Sequence, residues 1–238
     1  AVGMIREALT REGLAANTVI VYTSDNGYSM GAHGFGDKVL PYEAASKSPL
    51  IVFDPRLPRA HAGTVSHALT ANVDVAATLH ALAGVPAPAG IDGKSLLPLL
   101  TAPQGRVRDA LPLFNFWGAA SAQSLAIVMP GWKYIYWAHG GEGMQPTEEL
   151  FALAADPYEL NNLAADARHA AQLATLRAQQ SKLTQQWEGE RAKLAAIQTL
   201  KEEVDAVSKD VERAERSYDL NRAAELKCAP YSLACDFY

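Results

Sequence analysis

A short, unbroken β-branched run, Thr18-Val19-Ile20-Val21-Tyr22-Thr23, stops at once in Ser24-Asp25-Asn26-Gly27, and this junction constrains the chain more than any other segment. Successive apolar positions leave no polar face, which is the pattern of a strand covered on both sides within a parallel sheet. Upstream, Val2, Ile5, Ala8 and Leu9 recur at helical spacing, and Gly13 stands where a C-cap belongs. Helix, buried strand and polar turn together predict a βα-type unit. Open α/β sheets place their ligands beyond the carboxyl ends of such strands. Asp25 and Asn26 therefore mark a candidate site. A carboxylate beside an amide oxygen suits a hard cation such as calcium, while Asp-Asn-Gly is also a favoured turn sequence.

The composition divides the 238 residues into two parts. The last 58 residues hold 9 Lys+Arg and 11 Asp+Glu, against 21 and 26 in the whole chain. The front is rich in Ala, Leu, Pro and Gly and reads as globular; the back is charged and almost free of turn residues. A boundary is expected near residue 180. With 49% hydrophobic residues the chain can form a real core. A net charge of -5 gives no reason to expect nucleic acid or an anionic membrane as partner. No apolar run approaches the roughly 20 residues needed for a membrane span. Cys228 and Cys235 are too few and too late for a disulfide framework or a zinc site. The start, Ala1-Val2-Gly3-Met4, shows no signal peptide, so the localisation is left open.

Beyond the junction an ordered series of blocks appears. Gly31-Ala32-His33-Gly34-Phe35-Gly36-Asp37-Lys38 is followed by Tyr42-Glu43 and by Ser48-Pro49-Leu50-Ile51-Val52-Phe53. Then come Asn72-Val73-Asp74, Leu82-Ala83-Gly84-Val85-Pro86, Asp92-Gly93-Lys94-Ser95, and finally Glu149-Leu150-Phe151 with Asp156-Pro157-Tyr158-Glu159 and Asn162-Leu163-Ala164. Over about residues 1–178 this order resembles the sulfatase family, specifically its C-terminal portion. The resemblance implies an α/β fold: part of an alkaline-phosphatase-like sheet with flanking helices over 1–110, and a small antiparallel C-terminal sheet subdomain over 111–178. It implies calcium-dependent hydrolysis of a sulfate ester on a small molecule or glycan, with a formylglycine nucleophile made from a Cys/Ser-x-Pro/Ala-x-Arg motif. Asp25 and Asn26 then supply part of the calcium shell, and Lys38 touches the sulfate and stabilises developing negative charge. His33, between two glycines, either approaches the substrate or braces its loop. Tyr42 and Glu43 support the fold.

No Cys/Ser-x-Pro/Ala-x-Arg occurs in these residues, since Cys228-Ala229-Pro230-Tyr231-Ser232 ends in serine. The expectation is a catalytic remnant, inactive alone. A phosphoesterase of the same superfold is a further alternative, against which the Asp25-Asn26 pair speaks, because a histidine is expected beside that aspartate. Within the front, residues 73–83 predict a helix with Val73, Ala76, Ala77 and Leu79 as its apolar stripe. Residues 124–129 and 132–137 predict two strands around Pro130-Gly131. Trp132, Tyr134, Tyr136 and Trp137 are read as packing residues, with a sugar-stacking platform as the sharper alternative.

In the back, Ile197, Leu200, Val204, Val207, Val211, Ala214 and Tyr218 alternate at steps of 3 and 4, the spacing of a heptad seam. A long α-helical coiled-coil segment is expected over 179–227, with a partner helix engaged through 187–227 and an unstructured tail over 228–238. The segment resembles the middle coiled-coil arm of ClpB-type disaggregases. No Walker motif accompanies it, so no ATPase function is implied. A non-enzymatic coiled-coil interaction protein is the alternative from another functional class.

Overall fold

The computed structural model describes residues 1–116, 123–138, 145–219, 221–222 and 225–226. The chain falls into two compact units, 1–180 and 181–238. The expected tail over 228–238, with both cysteines, lies outside the described residues.

The first unit opens with α1 (Val2–Arg11). It closes in a Schellman motif, with Leu14 N–H donating to Leu9 O and Gly13 N–H to Thr10 O. Strand β1 (Ile20–Thr23) pairs with β2 (Leu50–Phe53), and the pairing is antiparallel, not parallel. The connection between them contains a one-turn helix, α2 (Glu43–Ser46), so the expected βα-type unit is not formed. Burial also departs from expectation. Tyr22, Ile51 and Phe53 are exposed, so the continuous apolar run of β1 is not covered on both faces among the described residues.

Helix α3 (Val73–Ala83) forms where the periodicity placed it, but with a different face inward. Val73 and Leu79 are exposed, while Asp74, Ala77 and Thr78 are buried. Asp74 explains the rotation. It accepts the N–H of Ala71 and of Lys94, both at 2.8 Å, and an N–H from each terminal guanidinium nitrogen of Arg108, Nη1 and Nη2. Burial alone would raise this carboxyl; Arg108 and the two backbone donors outweigh burial and hold it below the usual carboxylate range. A buried carboxylate so satisfied fixes the helix more firmly than an alanine-rich stripe does. The short helix α4 (Leu97–Thr101) follows.

The small sheet runs in the order β3 (Leu111–Asn115), β4 (Ser124–Met129), β5 (Trp132–Trp137), β6 (Thr147–Ala152), antiparallel throughout. Pro130-Gly131 makes the β4–β5 turn, as expected. Both faces of β5 are covered. On one, Ile135 and Trp137 join Leu40, Tyr42, Ala126 and Phe151 in the core. On the other, Tyr134 donates to Glu148, which also pairs with Arg177 of α5 (Ala170–Arg216), and Trp132 packs against His169. Trp132, Tyr134 and Trp137 of β5 are thus packing residues.

Lys133, on the Ile135 face, is fully buried. Its ammonium lies 2.7 Å from Glu43 Oε1 and 2.8 Å from Glu159 Oε1, and donates to Pro41 O at 2.9 Å. Helix α5 is continuous over 47 residues. On the expected seam, Ile197, Leu200, Val204 and Tyr218 are exposed and Ala214 is buried. No partner helix is shown, so the coiled coil stays an expectation. No helix among the described residues is long and apolar enough to cross a membrane.

Candidate functional site

The strand end of β1 passes directly into the turn that bears Asp25 and Asn26, and three sets of bonds hold that turn. Within it, the Ser24 hydroxyl donates to Asn26 O at 2.6 Å, the Asn26 N–H donates to Asp25 Oδ1 at 3.0 Å, and Asn26 Nδ2 donates to Gly27 O at 2.6 Å. From outside, the side chain of Asn72, just before α3, donates to Ser24 O at 3.0 Å and Asp25 O at 2.6 Å. From below, Gly27 N–H donates to Ala45 O of α2 at 2.8 Å.

These bonds leave Asp25 Oδ2 and Asn26 Oδ1 uncommitted among the described residues. The two oxygens are on adjacent residues and on a braced backbone, which is the donor chemistry a hard cation takes. They are only two. No group of three or more His, Cys, Asp or Glu able to hold a metal occurs among the described residues. A calcium ion needs six to eight oxygens, so the turn fits a share of such a site and not the whole of it.

Gly27 is required by the close approach to α2. A Cβ there would stand 2.2 Å from Ala44 O and 3.0 Å from Lys47 O, both backbone atoms. Gly27→Ala is therefore expected to displace the turn and to lower stability by about 1–3 kcal/mol, as overpacking does. A urea titration, together with loss of the Asn26 side-chain amide resonance from its native position, checks this.

His33 and Lys38 lie on the loop that follows. Ser29 N–H donates to Asp37 O at 3.0 Å and Gly31 N–H to Phe35 O at 2.9 Å, closing the loop on itself. His33 adopts φ 54°, in the left-handed region that costs a residue with a Cβ about 1 kcal/mol. Its ring stacks on Tyr42 at 3.8 Å and 8°. Tyr42 in turn donates to Glu149 at 2.9 Å, and Glu149 accepts Trp137 Nε1 at 2.9 Å. Burial first, and then the Glu149 carboxylate, push the Tyr42 phenol well above its usual value, so Tyr42 stays a proton donor. Lys38 is exposed, and its ammonium has no partner among the described residues. Sequence reasoning named Asp25, Asn26, His33 and Lys38 but missed Asn72 as the clamp. Asn72 was visible only as part of a motif.

The profile described as "N-sulphoglucosamine sulphohydrolase, C-terminal" matches residues 31–186. An N-acetylglucosamine-6-O-sulfatase of Bacteroides thetaiotaomicron is 33% identical over 176 residues, covering 71% of this chain and 30% of its own length. A choline-sulfatase of Rhizobium meliloti is 34% identical over 194 residues, covering 79% and 35%. A structure solved in complex with its substrate, D-glucosamine-2-N,6-O-disulfate, matches with a TM-score of 0.67 at 31% identity, covering 78% of this chain and 38% of that one. The chain thus spans about a third of the length of these curated relatives. The matched profile ends at Gln186, and the resemblance of 183–227 to the disaggregase arm receives no support from these relatives.

Proposed function

This chain belongs to the sulfatase family, with an alkaline-phosphatase-like fold and a match to the N-sulphoglucosamine sulphohydrolase C-terminal segment, and on that premise we propose that it carries the C-terminal share of a sulfuric ester hydrolase site. The observation that carries the reading is the braced turn after β1, with Asp25 Oδ2 and Asn26 Oδ1 left uncommitted. These two oxygens are two ligands of a calcium ion, the others coming from a part of the sulfatase site outside the described residues. When bound, the cation withdraws charge from the sulfate oxygens.

What this chain's residues do is narrower. Asn72 and α2 hold the ligand turn in place. Lys38, without a carboxylate to satisfy it, directs a fixed positive charge at the sulfate, where negative charge grows as the S–O bond breaks. His33, clamped by Tyr42, braces the loop and keeps Lys38 oriented. The substrate class is a sulfate ester, and a sulfated amino sugar is the form we favour, because that is the ligand in the matched complex.

The formylglycine motif is absent from these 238 residues, so the chain by itself is expected to release no product from 4-nitrophenyl sulfate above background, with or without calcium chloride. Calcium-dependent turnover that is lost in Lys38→Ala would replace this reading with that of a self-sufficient enzyme. A second reading, a non-enzymatic coiled-coil protein, rests on the exposed seam Ile197, Leu200 and Val204. Sedimentation of the full chain separates the two: a dimer abolished by Leu200→Glu favours it, and a monomer at all concentrations removes it.

A further inference from the structure

Two steps of bonding join the Asp25-Asn26 turn to the buried ions around Lys133. In the first, the turn rests on α2, through Gly27 N–H to Ala45 O and the close packing of Gly27 on Ala44 O and Lys47 O. In the second, Lys133 holds the segment that contains α2. Its ammonium donates to Pro41 O at 2.9 Å and Ser46 Oγ at 3.4 Å, and it pairs with Glu43 Oε1 at 2.7 Å. Glu159 closes the arrangement. One of its carboxylate oxygens is 2.8 Å from the Lys133 ammonium, and the other accepts Glu43 N–H at 2.6 Å.

A helix of one turn has no stability of its own, because nucleation is unfavourable and too few bonds follow. The place of α2 is therefore set from outside, by β5 and by the turn after β6. Glu159 itself holds φ 56°, a conformation retained only where surrounding contacts over-determine it. The charges nearly balance: Lys133 faces two carboxylates, and Lys47 stands 3.5 Å from Glu43 on its solvent side.

We propose that Lys133 and Glu159 are positioning residues for the Asp25-Asn26 turn, acting from the small sheet through α2. The functional meaning of the inference rests on the reading of that turn as a cation-ligand pair; the mechanical coupling stands apart from it. The small sheet subdomain is then more than a lid on the core, because it sets where the two ligand oxygens stand.

The test uses the full chain, labelled with nitrogen-15. The double variant Lys133→Met/Glu159→Gln removes the ammonium without leaving a buried carboxylate unpaired, and the glutamine oxygen still accepts Glu43 N–H. Relative to the amides of β4–β6, the Gly27 amide is expected to exchange about tenfold faster or more, through local opening, with a moved Asn26 side-chain amide resonance. Leu176→Ala, which loosens a fully buried packing residue, is expected to speed the sheet amides while leaving the Gly27-to-sheet ratio unchanged. A folded double variant with an unchanged ratio and an unmoved Asn26 resonance overturns the proposal, as does a Leu176→Ala chain in which the ratio rises and the Asn26 resonance moves as much as in the double variant. If the double variant does not fold, Glu43→Ala carries the same comparison, with several-fold faster Gly27 exchange expected and an unchanged ratio overturning it. The ligand reading is a separate question, because two oxygens are too few to hold calcium in this chain alone: an enzyme whose matching C-terminal third is replaced by residues 1–180 refutes that reading if Asp25→Ala leaves its calcium requirement unchanged, while the exchange ratio in the full chain still decides the coupling.

Discussion

Lys133→Met alone is expected to cost the folded state about 3–5 kcal/mol, because it leaves Glu159 buried with an uncompensated charge. The side chain of Glu159 is 1% exposed and that of Glu43 20%, so water reaches the first hardly at all. Two hydrogen bonds to the segment 41–46 are lost as well, each worth about 1 kcal/mol net. A loss of this size is a large fraction of an ordinary domain's stability, so the midpoint of urea denaturation falls sharply or the first unit does not fold. The asymmetry between single and double replacement is the informative part. Removing one partner of a buried pair is costly, whereas removing the charge on both is often close to neutral. Lys133→Met/Glu159→Gln is accordingly expected to recover most of the stability lost in Lys133→Met. Equal destabilisation in the two would mean that the lysine contributes through packing alone.

Asp74→Asn is the second large effect, also about 3–5 kcal/mol, because Arg108 is left 11% exposed with no carboxylate. Four donors converge on Asp74, and an asparagine can accept from only part of them while presenting its own donors to the rest. The consequence has a pH signature. The carboxyl of Asp74 is held below its unfolded value, so it contributes stability that is fully present above the ordinary carboxylate range, near about pH 4, and is lost as pH falls through the depressed native value. In Asp74→Asn that contribution is absent at every pH. The stability gap between the two proteins is therefore expected to be widest near neutrality and to narrow in acid. Chemical denaturation at pH 7, 5 and 3 measures it; a gap independent of pH would assign the loss to shape and not to charge.

Local features of this fold were legible, and long-range ones were not. The strands at 124–129 and 132–137 and the helix at 73–83 follow from turn residues and periodicity confined to a dozen positions. The pairing of β1 does not: an apolar run reports that a strand expects cover, but not the direction of its neighbour, and β2 arrives antiparallel. The face of α3 was misjudged because Asp74 finds its partner 34 positions away. Lys133 was overlooked for the same reason, since a lysine among aromatics reads as a strand edge until Pro41, 92 positions upstream, closes over it. For the candidate site, a motif series was enough to single out Asp25, Asn26, His33 and Lys38 as candidates, while the clamp from Asn72 depends on a contact spanning 47 positions.

The central claim is that Asp25, Asn26 and Lys38 form one share of a sulfatase site. It is tested most directly by grafting residues 1–180 in place of the matching C-terminal third of the Bacteroides thetaiotaomicron N-acetylglucosamine-6-O-sulfatase. Inorganic sulfate released from that enzyme's own sulfated sugar is the readout. The account predicts calcium-dependent release that falls about 10²–10³-fold in Lys38→Ala and shows a raised calcium requirement in Asp25→Ala. A folded, active chimera indifferent to both substitutions would contradict it.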